Sequence, residues 1–152
     1  MTRTTIYLYV DGFIGDAKSK SKENAIRCSY YGYGAAVLTA TSGSGSGASA
    51  GKPQREPIVI HKAVNHTSPQ FMKSLLSGKH IKTATLELRR DKKVYYTIQL
   101  DDVLITGVQH SVPEDDAQPD AVEVVELMFQ KISFTAADGS TVTDDVKKGT
   151  VS

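Results

Sequence analysis

The chain has 152 residues, 39% of them apolar, with 18 basic and 17 acidic side chains and a formal net charge of +1. That length suits one domain whose core is large enough to need no metal or disulfide staple. The near-neutral charge removes the electrostatic case for nucleic acid or an anionic membrane surface, and a single cysteine, Cys28, excludes an intramolecular disulfide and any thiolate zinc set.

Residues 6–10 alternate, with Ile6, Leu8 and Val10 on one face and Tyr7 and Tyr9 on the other. Period two predicts a strand. The apolar run is too short for a signal-peptide core, so the expectation is a chain made in the cytoplasm and exported, if at all, without a cleaved signal. Asp11-Gly12 and Gly15-Asp16 signal turns, and the polar stretch 16–25 reads as a surface loop. An extended segment follows from Ala25 to about Val37. Tyr30, Tyr31 and Tyr33 favour a strand, Gly32 and Gly34 suggest a bulge, and Cys28 is expected to be a small buried hydrophobe.

Residues 42–53, SGSGSGASAGKP, admit three readings. A phosphate-binding loop needs a glycine, four residues, then Gly-Lys-Ser/Thr. Here Pro53 follows Gly51-Lys52, and Ser46 stands where the first glycine belongs. A linker would leave too few residues before it for a stable domain. The expectation is therefore a long mobile loop, over 39–56, inside one domain.

Pro57–Val64 reads as a strand with Ile58 and Ile60 on one face. The period then changes. Ser68 is the expected N-cap and Pro69 the first helical residue; Phe71, Met72, Leu75 and Leu76 form the expected apolar stripe, and Gly78 the expected C-terminal stop. A helix of about nine residues is not stable alone and must dock. Ala84, Leu86 and Leu88 alternate with Thr83, Thr85, Glu87 and Arg89; after the polar turn at 91–93, Val94, Tyr96, Ile98 and Leu100 alternate again, which predicts a hairpin. A short strand over 103–108, an acidic loop over 113–120 and a strand from Val122 to about Thr135 complete the pattern. Residues 136–152 read as a polar, loosely held tail beyond a single domain spanning 1–135. Some seven strands in succession with one helix exclude a βαβ protein and predict a mainly β fold. It would be an antiparallel barrel or two-sheet sandwich with the helix on one side.

No constellation for chemistry appears. The histidines at 61, 66, 80 and 110 lack the helical spacing of a zinc pair. Ser68 lacks the glycine elbow of a nucleophile. Asp101 and Asp102, as strand neighbours, point to opposite faces unless a bulge intervenes. Glu114-Asp115-Asp116 lacks EF-hand spacing. No enzyme activity, cofactor or metal is expected.

Three blocks carry a resemblance: SPQFMKSLLSGKHIKTATLELRR, YYTIQLDDVLITGVQHS and VEVVELMFQKISFTAADGS. With the first turn Asp11-Gly12 and the Gly51-Lys52 loop, this pattern resembles the haemolysin-coregulated protein (Hcp) family, the tube subunits of the bacterial type VI secretion system. The resemblance implies a β-barrel with a lateral helix, a hexameric ring and stacked rings. It also implies partnership with the tube-tip spike, the contractile sheath and secreted effectors, and export to the extracellular space or a target cell. It implies that the glycine-rich loop (Ser42, Gly43, Ser44, Gly45, Ser46, Gly47, Gly51, Lys52) meets an adjacent subunit or ring. Thr83, Thr85, Glu87 and Arg89 are candidates for a channel or seam face. A tail-tube subunit of a phage or another contractile machine, and a monomeric ligand-binding barrel, are the alternatives.

Overall fold

A computed structural model describes residues 3–16, 24–41, 48–114 and 120–152. The strands are Thr5–Val10 (β1), Ile26–Cys28 (β2), Tyr30–Gly32 (β3), Ala35–Thr41 (β4), Ala48–Arg55 (β5) and Ile58–Ala63 (β6). The helix Ser68–Ser77 (α1) follows, then Ile81–Arg90 (β7), Lys93–Ser111 (β8), Val122–Met128 (β9), Lys131–Ala136 (β10), Thr141–Asp145 (β11) and Thr150–Val151 (β12). All pairings are antiparallel.

Two sheets share one strand. The first runs β12-β11-β10-β8-β7-β1-β2, and the second β3-β6-β9-β8. The sequence left barrel and sandwich open; the two ladders make a sandwich, with no closed barrel. Two strands carry the chain between sheets. Strand β8 pairs with β7 and β10 through its first half and with β9 through its second. At 19 residues it would span about 60 Å if straight, so it must bend. The bend falls at Asp102, whose φ is 53°, and at the register shift between Ile105 and Gly107. On the other side, β2 and β3 are separated by Ser29 alone, whose N–H donates to the His61 carbonyl.

The alternating residues fill the space between the sheets. Leu8, Ile26, Ile58, Ile60, Leu86, Ile98, Leu100, Val125, Leu127 and Ile132 are inaccessible to solvent. Phe71 of α1 joins them and meets Phe13 edge-on, with centroids 4.9 Å apart. Asp91 and Lys92 both have positive φ, which is the two-residue turn that matches strand twist. Gly78 closes α1 in the left-handed region at φ 65°, as its position predicted.

Several expectations are corrected. The segment over 39–56 is largely a hairpin of β4 and β5, registered from Ala35↔Arg55 to Thr41↔Ala48. Small β-tolerant residues on both arms permit this pairing. The expected strand at 103–108 is a continuation of β8, because the chain passes through Asp102 at φ 53° without ending the ladder. The expected single strand over 122–135 is two, broken at Phe129-Gln130, and the two halves belong to different sheets. The stretch 136–152 is held: β11 pairs with β10 along its length and β12 with β11. In α1 the N-cap is Thr67, not Ser68, because the Ser68 hydroxyl is taken by Asn65 and Lys62. The buried face of α1 is Ser68, Phe71 and Ser74, while Leu76 is 78% exposed.

Candidate functional site

The outward face of the larger sheet brings the four strand candidates together. Thr83, Thr85, Glu87 and Arg89 alternate along β7, all half-buried. Register extends each into a polar row across the sheet. Thr85 lies opposite Tyr9 and Gln99, and Gln99 opposite Ser133, then Thr143. Glu87 lies opposite Tyr7 and Thr97, and then Thr135 and Thr141 continue the row. Thr83 lies opposite Asp101, with Lys131 and Asp145 beyond. The hydroxyls cross-link the strands: Ser133 Oγ lies 3.0 Å from Thr143 Oγ1 and Thr135 Oγ1 3.1 Å from Thr141 Oγ1.

Charges on this face are paired in part. Arg89 donates to Glu87 Oε1 from both Nε and Nη2, at 3.1 and 2.6 Å, and this bond raises the Arg89 pKa. Burial and the neighbouring Glu87 carboxylate raise the Tyr9 phenol in turn. The Arg89 and Arg27 guanidiniums lie over the Tyr7 ring at 5.5 and 5.6 Å. The result, among the described residues, is a face of hydroxyls, amides and a few charges, with no convergent set of groups suited to acid–base or nucleophilic chemistry.

The second candidate surface is the β4–β5 hairpin. It pairs with no other strand among the described residues. Every residue from Ala35 to Thr39 and from Gly51 to Gln54 is exposed, with Leu38 72% and Val37 43% accessible. Gly51 and Lys52 lie on β5; Gly51 faces the Leu38 carbonyl so closely that a Cβ would sit 3.2 Å from it. Ser42, Gly43, Ser44, Gly45, Ser46 and Gly47 lie outside the described residues. The root is anchored. Glu56 N–H donates to the Gly34 carbonyl, and Arg55 donates from Nε and Nη2 to both Asp144 carboxylate oxygens. The hydrogen bonds to Asp144 raise the Arg55 pKa. The C-terminal strands therefore brace the hairpin.

A third group was not anticipated. Lys62 and Glu123 are fully buried opposite each other on β6 and β9, Nζ to Oε1 2.7 Å. Lys62 also donates to the Ala63 carbonyl and to Ser68 Oγ at the start of α1, while His110 Nε2 meets the second Glu123 oxygen. Asn65 ties the same corner to Asp16 and Thr67. This network docks α1 on the sandwich. The signal was in the sequence: Lys62 continues the buried face of Ile58 and Ile60, and Glu123 that of Val125 and Leu127. A charge of each sign in step with two buried faces marks a paired, buried ion. His80 Nδ1 and Asp102 Oδ1 form a separate exposed pair at 2.7 Å. No cluster of three or more histidine, cysteine or acidic side chains suits a metal among the described residues.

The sequence matches the family model described as type VI secretion system effector, Hcp, over residues 7–135. The chain belongs to the Hcp family of type VI secretion proteins. Solved structures agree on the fold. Hcp1 from Salmonella typhimurium superposes with a TM-score of 0.82 at 24% identity, covering 100% of both chains. A type VI secretion system effector from Yersinia pestis gives 0.77 at 21%, covering 93% of this chain and 99% of its own. A structure described as a type six secretion system protein gives 0.87 at 13%, covering 99% and 100%. A search of curated proteins finds no significant match. Hcp proteins are secreted structural proteins rather than enzymes, and the mainly β sandwich with one helix described above is the Hcp fold. No helix among the described residues is long and apolar enough to cross a membrane.

Proposed function

We propose that this Hcp chain is a structural subunit of the type VI secretion tube. Copies of it close into hexameric rings, the rings stack, and effectors travel in the channel behind the tube-tip spike when the contractile sheath fires. The observation that carries the reading is the detached hairpin. Two strands of seven and eight residues pair, among the described strands, only with each other, are braced at the root by Arg55, and expose Val37 and Leu38. An isolated two-stranded hairpin is marginal in water, and its outer edges are open pairing templates. Contact with a neighbouring copy satisfies both. A hairpin on one side and its receptor on the other make two different patches per subunit, which is the requirement for a head-to-tail ring or stack. Away from its β1–β2 end, the hydroxyl- and amide-rich outer face of the larger sheet suits a channel wall, because it gives varied cargo no strong electrostatic trap.

The test is Leu38→Glu beside deletion of residues 43–51, read by light scattering and negative-stain imaging. The wild-type chain should give ring-shaped particles with the mass of a hexamer. Both variants should keep the melting temperature of the isolated subunit and lose stacked rings or rings. A wild-type monomer at high concentration, or variants that assemble as well as the wild type, would sink the proposal.

A further inference from the structure

Two arginines break the pattern of paired charge. Arg55 and Arg89 each hold a carboxylate. Arg3 and Arg27, both exposed, make no ion pair among the described residues. They line one depression of about 380 Å³ where β1 meets β2, together with Thr4, Thr5 and Ser29. Arg27 lies opposite Tyr7 in register and rests its guanidinium on that ring, which orients the group, and its N–H fork meets no carboxylate among the described residues. Asp16, beside this strand, is already committed: its oxygens accept from the Arg27 backbone N–H and the Asn65 side chain. Thr5 lies opposite Arg89, so the exposed Arg90, Lys92 and Lys93 gather at the same end of the sheet, with Asp91 in their turn and Asp138 in the β10–β11 turn two strands away. In a chain of net charge +1 this end is strongly cationic.

Unpaired guanidiniums beside hydroxyls form a receptor for an oxyanion, which two forks can grip with paired hydrogen bonds. The rest of the face decides its length. Glu87, held by Arg89, is next but one to Arg27 in its row, and Asp101 and Asp145 lie across the sheet in the Thr83 row. A continuous polyanion would run into these carboxylates, whereas a short acidic segment would end before them. We infer that the Arg3–Arg27 depression binds the carboxylates of an acidic peptide segment of a transported protein. The source of the peptide rests on the tube reading; the chemistry of the depression does not.

The experiment is fluorescence anisotropy of a labelled Glu/Asp-rich peptide on the full chain, at low and raised salt, beside light scattering of the same samples. The peptide should bind, weaken as salt rises, and lose about tenfold or more in affinity in Arg3→Gln and in Arg27→Gln, the scale of a charge-assisted hydrogen bond. Arg3 precedes β1 and is exposed, so Arg3→Gln leaves folding intact; unchanged melting temperatures check both variants. Arg27→Lys, which keeps the charge but loses the fork, should bind only weakly. Absence of binding, binding indifferent to both arginines, or equal competition by inorganic phosphate or oligothymidine would overturn the inference. Rings without peptide binding would refute the depression and leave the tube standing; peptide binding by a monomer would do the reverse.

Discussion

Lys62→Met removes the cation from a pair that no water reaches. Glu123 then keeps one partner, His110, and its Oε1 faces an aliphatic chain. Ser68 loses the ammonium that ties α1 to β6. Breaking a buried pair from one side costs about 3–5 kcal/mol. For a domain of this length each kcal/mol moves the midpoint by about 2–4 °C, so the melting temperature should fall by about 6–20 °C. Lys62→Met/Glu123→Leu removes both charges and should recover most of the loss, since an apolar pair of similar volume replaces a desolvated one. His110, 40% exposed, can turn to water in that variant. Urea and thermal unfolding of the wild type, both single variants and the double variant, at one fixed protein concentration, complete the cycle. A single variant costing less than about 1 kcal/mol, within the range of an exposed pair, or strictly additive losses, would refute the claim that the two charges depend on each other.

Burial pushes the Cys28 thiol up to about 12, against an opposing influence from Lys62 and Arg27. The native thiol should resist iodoacetamide at pH 8 and react at once in urea, followed by mass spectrometry. Because the folded value is raised above 9.0, its contribution to stability is complete below that pH and is lost as pH rises toward about 12. Gly78→Ala places a side chain at φ 65° in open space and should cost about 1 kcal/mol, read from urea midpoints. Gly15→Ala would set its Cβ 2.2 Å from the Asn24 carbonyl carbon and should cost clearly more, about 3 kcal/mol, by forcing apart the bond from Asp16 N–H to the Ala25 carbonyl.

The sequence by itself determined the elements whose signal is local. Alternation placed β1, β6, β7 and the first half of β8, and Gly78 stopped α1 where a left-handed residue was needed. The family was legible too, in three motif blocks that lie largely within the stretch the family model matches. Tertiary structure decided what depends on partners far along the chain. The break at Phe129-Gln130 shows locally only as a change of phase, with buried residues odd-numbered through Phe129 and even-numbered at Ile132, and the sequence does not say that the two strands join different sheets. The tail looks loose until β11 finds the free edge of β10, and Ala48–Arg55 looks structureless until Ala35–Thr41 offers a pairing edge. Thr83, Thr85, Glu87 and Arg89 share a face by parity alone, but only register adds Tyr9, Gln99, Ser133 and Thr143 to it. The same holds for Lys62 and Glu123: each disturbs a buried alternation, and only the cross-strand register, which joins residues remote in sequence, turns two anomalies into one ion pair.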